Sequence, residues 1–367
     1  RPFIGITHIT RTETAPRAVT MHLVKVDLTA PGIAFKLSPP GGSRETMRQT
    51  TLQFLQQERA QVAINAHFFL PFPSTDRDAN VIGLAASNGV VYSEFEAPQQ
   101  SYAIVAHAPA INIDSCNRAA LVRAGQPRPV LWNALAGSAQ IITNGVKSIP
   151  AYRDAQTPDG LLTPGGGASY SNSHSWYHLP RARTAIGISR DGRTLFLFTV
   201  DERGGAGMTV GEVADVLLGY GVYNALNLDG GGSTSLAMED PRTHERSMVN
   251  APSDPGGRAV ASSLAVFAKG PATEPGRDSE PPASAVRCVR GKLVLVAADN
   301  PGGSGVREIR YSTGGRTRVI RSSRASLSAH ADVLYLAADH AGNFEPPKSV
   351  SVPPCLCGQT PTPTARR

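Results

Sequence analysis

Apolar and polar residues alternate in short runs over most of the chain. "AQVAINAHFF", "TAIGIS", "TLFLFTVD" and "NALNLD" are rich in branched and aromatic residues and end at turn residues, which predicts strands. Two stretches carry helical spacing instead. "SRETMRQTTLQFLQQER" offers Ser43 as a cap and Met47, Leu52 and Leu55 on or near one face. "TVGEVADVLLGYG" sets Thr209 and Glu212 at capping-box spacing, then Val213, Val216 and Leu217, then glycines that end the helix. "SRDGRT" predicts a hairpin turn about Asp191 and Gly192. Many strands and few helices predict an α+β fold with a mixed β-sheet, not a doubly wound parallel sheet.

The pattern changes at "KGPATEPGRDSEPPA", which is Pro-rich, charged and aperiodic, as a linker is. Beyond it, "KLVLVAAD", "REIRYST", "TRVIRS" and "VLYLAAD" are four β-rich runs between turn clusters, which predicts a small all-β sandwich. The string "SGVREIRYS…YLAADHAGNFEPP" resembles the immunoglobulin-like modules appended to secreted bacterial enzymes. The expected organisation is a first domain over 1–269, a linker over 270–283, an immunoglobulin-like module over 284–357 and a Pro/Thr-rich disordered tail over 358–367.

Charge and cysteines add constraints. Residues 271–367 hold 13 Lys/Arg against 8 Asp/Glu and so carry most of the net charge of +7, either as a face for anionic polymers or as scattered solvated arginines. No RRM, zinc-finger or helix-turn-helix signature turns that charge into nucleic-acid recognition. No apolar run approaches the roughly 18 residues of a membrane span. The chain opens on Arg1 with no apolar leader, as a trimmed product would, and a secreted or extracytoplasmic location is expected. Cys116, Cys288, Cys355 and Cys357 fit an oxidising compartment: Cys288 would bridge to Cys355 or Cys357, and Cys116 to the one left over, free thiols being the alternative. C-x-C without nearby histidines argues against zinc.

Three stretches could carry chemistry. In "NALNLDGGGSTSLA", Asp229 precedes Gly230, Gly231 and Gly232, then Ser233 and Thr234. Consecutive glycines leave backbone N–H groups open to an anion, although a tight turn after a strand accounts for the same letters. If the hairpin strands and the strand ending at Asp229 share one sheet, Asp201, Glu202 and Arg203 lie on its rim. Arg183 and Arg203 would then grip a phosphate bidentately. In "INAHFFLPFP", Asn65 and His67 share one face of a strand: Asn65 would orient a sugar hydroxyl or fix a loop, and His67 would be an acid, base, ligand or buried structural residue. In "GGGASYSNSHSWYHLP", Tyr170, Trp176 and Tyr177 suit either sugar stacking or a packed covering loop. A serine-hydrolase elbow would need a second glycine after "GGSTS", and a P-loop would need a lysine.

In order, "AINAHFF", "VIGLAASNGVVYS", "RTAIGISRDGRTLFLFTVDER", "GMTVGEVADVLLGYGVYNALNLDGGGST" and "NAPSDPGGRAVASSLAVF" resemble the blocks of the phosphodiester glycosidase family. The resemblance implies hydrolysis of a sugar-1-phosphodiester in a glycan or cell-envelope polysaccharide. It implies a site at Asn65, Arg183, Thr184, Asp201, Arg203, Asp229, Gly230, Gly231, Gly232, Ser233, Thr234, Asn250 and Arg258. Asp229 or Asp201 would face the anomeric carbon, while Arg183, Arg203 and the glycine amides would hold phosphate. The family's first block usually reads Asn-Gly-x-Phe-Phe, whereas Ala66 and His67 stand here, and a sugar subsite different from the family's is expected. No cofactor is required by the sequence, and a divalent cation is compatible with the carboxylates. The alternative is a secreted protein that binds phosphorylated polysaccharide without cleaving it.

Overall fold

The computed structural model describes residues 2–95, 104–162, 176–269, 278–289, 292–300, 303–327 and 332–351. Residues 270–277 of the expected linker, the tail, Tyr170, the side chain of Trp176, the side chain of Cys288, and Cys355 and Cys357 lie outside them.

The chain is mostly β, with two α-helices among the described residues, and its first part is layered. A seven-stranded sheet runs in the order Ile6–Glu13, Val19–Asp27, Thr194–Val200, Arg183–Ile188, Asn224–Asn227, Ala139–Thr143, Val146–Lys147. A five-stranded sheet runs Arg246–Met248, Leu236–Glu239, Val62–Asn65, Ser263–Phe267, Ala34–Leu37. Every pairing in both is antiparallel, so neither is the mixed sheet that was expected. Period-two alternation gives each sheet two apolar faces. Val24, Ile186, Leu197 and Leu226 of the first meet Val62, Ile64, Leu236 and Leu264 of the second in one core. The opposite face of the first sheet packs under the Val210–Gly219 helix, through Ala185, Phe198, Val213 and Leu217. The outer face of the second packs under the Thr51–Glu58 helix, through Ala63, Ala237, Phe54 and Leu55.

The Val210–Gly219 helix begins as expected: Thr209 Oγ1 accepts from Glu212 N at 3.2 Å, and Thr209 N donates to Glu212 Oε2 at 2.7 Å. The first helix starts seven residues later than expected. Thr50 and Gln53 form its capping box, while Ser43 N and Oγ donate to Asp78 Oδ2 at 2.7 and 2.5 Å. That anchor draws Thr46–Met47 into a strand pair with Asp78–Val81, so Met47 is exposed and not on the helix face.

The described residues between 283 and 350 form a three-stranded and a four-stranded sheet around a core of their own, including Leu295, Ile309 and Tyr335. Cys116 is a free, half-buried thiol, so the bridge expected from it is absent. It sits in a turn closed by Asp114 Oδ1, which accepts from Cys116 N at 2.8 Å and Arg118 N at 2.9 Å. No helix among the described residues is long and apolar enough to cross a membrane.

Candidate active site

The segment 228–235 is where the chain leaves the seven-stranded sheet and enters the five-stranded one, since Asn224–Asn227 belongs to the first and Leu236–Glu239 to the second. That crossing constrains its glycines in different ways, Gly230 against backbone and Gly232 against movable side chains. A Cβ on Gly230 would stand 2.9 Å from Ala182 O, and one on Gly232 would stand 2.2 Å from an Arg258 nitrogen. Gly231 has φ +57°. The amides are less available than expected. Gly231 N donates to Ala182 O at 2.8 Å, Ser233 N to Gly230 O at 3.1 Å and Thr234 N to Gly231 O at 3.0 Å. Gly230 N is engaged by the Asp229 carboxylate.

The rim assembles around that crossing. The strand ends at Val200 and Asn227 and the strand start at Arg183 lie at one edge of the sheet, which brings Asp201 and Asp229 to the same rim. Asn65 ties the two sheets together: its Nδ2 donates to Asp229 O at 2.7 Å, and its Oδ1 accepts from Thr184 Oγ1 at 2.9 Å and Ser235 N at 3.0 Å. Thr184 Oγ1 also reaches Thr234 Oγ1 at 3.3 Å. Asn250 continues the network, donating from Nδ2 to Asp201 Oδ1 at 2.9 Å and to Thr234 O at 3.2 Å, and accepting from Leu236 N at 2.7 Å. Asp201 Oδ2 accepts from Ala251 N at 3.0 Å, so both its oxygens are already acceptors.

Asp229 is set differently. It is 9% exposed, and burial pushes its carboxyl up to about 7 against the opposing pull of Ser233, the Arg258 charge and the Gly230 amide. Arg258 stands beside it, donating from NH1 to Ser233 Oγ at 3.3 Å and from Nε to Asp254 Oδ2 at 2.8 Å. Its guanidinium also lies over the Phe72 ring, 4.7 Å from the centroid. Phe72 is half exposed on the "LPFPS" loop and was not among the expected site residues. Two prolines flanking an aromatic were its only signal.

Several expected residues fall elsewhere. Arg183 and Thr184 are neighbours on one strand and therefore face opposite ways. Thr184 joins the rim network, whereas Arg183 points under the helix layer. There its Nε donates to Met208 O at 3.0 Å and its NH2 to Leu179 O at 2.6 Å, and burial lowers its guanidinium to about 10. It holds backbone in place of phosphate. Arg203 is exposed in the turn after Glu202 and outside the hydrogen-bonded rim network. His67 is fully buried; its Nδ1 meets Ser262 Oγ at 2.8 Å and its Nε2 meets Ala136 N at 3.0 Å and Leu84 O at 3.1 Å. Burial lowers it to about 4. The strand ends at Asn65, so the two side chains part company and His67 is an interior residue. Tyr177 is also buried, with its OH on Ser138 Oγ at 2.9 Å, so it packs and offers no face to a sugar.

A cleft of about 740 Å³ lies away from this rim and is lined by Cys116, Arg118, Asp191, Arg193, Arg310 and Glu345 among others. Its two carboxylates, Asp191 and Glu345, are engaged by Ser189 and Arg193 N and by Ser284 N, Ala337 N and Lys348, so chemistry places the candidate site at the rim and not in this hollow. Among the described residues the carboxylates close enough to share a cation are Asp278, Asp299 and Asp339, whose oxygens lie within 4.8 Å of one another. Asp201 and Asp229 are not in that group.

A family model described as phosphodiester glycosidase matches residues 58–267, more than half of the chain. An uncharacterized SPbeta prophage-derived protein of Bacillus subtilis is 26% identical over 230 residues, which are 60% of this chain and 30% of that protein. The bovine N-acetylglucosamine-1-phosphodiester alpha-N-acetylglucosaminidase is 40% identical over 57 residues, 16% of this chain and 11% of that enzyme. The chain thus spans less than a third of either relative. In fold it is similar to the catalytic domain of the zebrafish enzyme of the same name, solved as auto-inhibited by its pro-peptide, with TM-score 0.53 and 19% identity over 73% of this chain and 85% of that one.

Proposed function

We propose that this chain, which belongs to the phosphodiester glycosidase family, hydrolyses a sugar-1-phosphodiester at the rim where its two main sheets meet. The observation that carries this is a pair of carboxylates held on one rim in opposite settings. Asp229 is buried beside an arginine and retains its proton near neutrality, and Asp201 is fixed by N–H donors. Two carboxyl groups kept in unlike environments are the usual way of dividing acid from base.

A phosphate monoester is a good leaving group, so the transition state needs charge stabilisation on the departing oxygens more than a strong acid. Arg258 and Ser233 are the groups placed to meet that phosphate. Asp229 gives its proton to the leaving oxygen, and Asp201 takes one from the attacking water. Phe72 offers an apolar wall at the mouth. We place the protein outside the cytoplasm, acting on glycan-linked phosphodiesters, with residues 284–357 as an immunoglobulin-like module. A seven-strand unit with its own core supports that division.

Asp229→Asn, assayed on a chromogenic sugar-1-phosphodiester with folding checked by circular dichroism, is expected to lose about 10³-fold or more in kcat. The wild-type rate is expected to fall as pH rises through about 7, where Asp229 loses its proton. Full turnover by a folded Asp229→Asn protein would overturn the assignment. Tight binding of phosphorylated polysaccharide with no product at any pH would make it a binding protein.

A further inference from the structure

One titratable pair beside the rim belongs to no motif. His22 lies in the Val19–Asp27 strand opposite Thr199 and is 5% exposed. Val24 and Val26 of the same strand face the core between the sheets. Alternation therefore turns His22 to that inter-sheet side, toward Asp201. Its Nε2 stands 3.7 Å from Asp201 Oδ2. On its other side, Nδ1 meets His8 Nε2 at 3.3 Å and Thr10 Oγ1 at 3.3 Å. The two imidazoles stack with centroids 5.5 Å apart and planes 18° apart. His8 belongs to the outermost strand, Ile6–Glu13, and is half-buried.

We propose that His22 is a positioning residue for Asp201, held by His8 in the tautomer that points an N–H at the carboxylate. This rests on Asp201 being the base of the reaction above. A nitrogen facing a carboxylate oxygen carries the proton, so Nε2 is the donor and Nδ1 is left as an acceptor. His8 Nε2 and the Thr10 hydroxyl, 3.5 Å from each other, both close on that single acceptor lone pair. His8 and Asp201 are the titratable groups that face His22, one from the edge strand and one from the strand end across the sheet. His8 stays neutral, since burial first and the His22 ring second lower it to about 4. A neutral His8 can serve as the donor that sets the His22 tautomer. At 3.7 Å the His22 contact is longer than a hydrogen bond, and such contacts tighten when substrate binds.

With Asn250 and Ala251 N, His22 completes a three-sided hold on Asp201. Loss of that hold leaves substrate binding nearly intact and slows the chemical step.

The test has two independent arms. Nitrogen-15 spectra of the full chain are expected to show His22 protonated at Nε2, with its ring shifts moving in Asp201→Asn. An Nδ1-protonated His22, or one indifferent to Asp201→Asn, overturns the proposal whatever the activity. In kinetics, His22→Phe is expected to lower kcat about tenfold or more with KM within about twofold, and to move the acid limb of the pH profile. His22→Gln, which keeps a donor at that reach, should recover most of the loss. Equal losses in the Phe and Gln variants overturn the positioning role. If the wild type cleaves no sugar-1-phosphodiester, the function fails, and the spectra still decide the pairing.

Discussion

Asp229 and Glu308 are carboxylates that the fold removes from water to nearly the same degree, 9% and 7% exposed, with an arginine beside each. They end far apart. Burial raises Asp229 to about 7, because Arg258 divides itself between Asp254, Ser233 and the Phe72 face and acts on Asp229 only across Ser233. Burial also pushes Glu308 up, but Arg310 Nε at 2.6 Å and Arg307 at 3.6 Å overcome it and hold the group at about 2. Arg310 is in turn fixed between rings, 5.2 Å from the Trp132 centroid and 4.7 Å from that of Phe344. Direct contact with an arginine two residues along the same strand, which has no other acceptor among the described residues, makes a lock within the β-rich C-terminal part. An arginine shared among three partners leaves the carboxyl a proton to donate.

The largest effect should come from breaking the lock. Arg310→Gln leaves Glu308 buried with only the more distant Arg307 and Arg321, and is expected to cost about 3–5 kcal/mol in urea unfolding at pH 7. Glu308 has a folded value below its unfolded one, so its contribution is complete above about 4.5 and disappears as pH falls through about 2. The penalty of the substitution should shrink over that window. A cost below about 1 kcal/mol at pH 7 would make the pair an ordinary surface bridge.

Next comes the opposite sign. Asp229 in the folded chain keeps its proton up to about 7, whereas the unfolded chain releases it near 3.8, so stability falls as pH rises across that interval. Asp229→Asn removes the penalty. It should stabilise the protein at pH 8 by up to about 4 kcal/mol and change little at pH 3.5. Thermal unfolding at the two pH values reads this directly. A variant that is inactive yet more stable at pH 8 marks a functional carboxyl, and one equally destabilised at both marks a structural one.

Much of this rim was legible in the sequence, and the failures have definite causes. The Asp191-Gly192 turn, the Thr209/Glu212 box and the strand ending at Asp229 together put Asp201 and Asp229 on one edge, as local patterns should. The first helix was misplaced because Ser43 and Thr50 are both good caps, and only contact with Asp78 removes Ser43 from the contest. Arg183 was misjudged because alternation separates it from Thr184 without saying which face holds the site. The Gly231 amide looked open because its acceptor, Ala182 O, lies just before the Arg183–Ile188 strand, far earlier in the chain, a pairing that composition does not encode. His22 reaches Asp201 through the strand register of Val19–Asp27 on Thr194–Val200, which no motif carries.

The smallest effect sharpens the comparison most, because it asks whether Arg258 acts on Asp229 as a weak version of Arg310. Arg258 lowers the Asp229 carboxyl, so Arg258→Gln should raise it above about 7 and move the alkaline limb of the rate profile upward by about one unit. The phosphate also loses its cation, so KM for a sugar phosphodiester should rise. Arg258→Lys restores charge without the planar fork that spans Ser233 and Asp254. It should return the pH limb most of the way toward the wild type while leaving KM raised. A limb that stays at the wild-type position in both variants would mean that burial alone sets Asp229, and that the shared arginine serves only the phosphate.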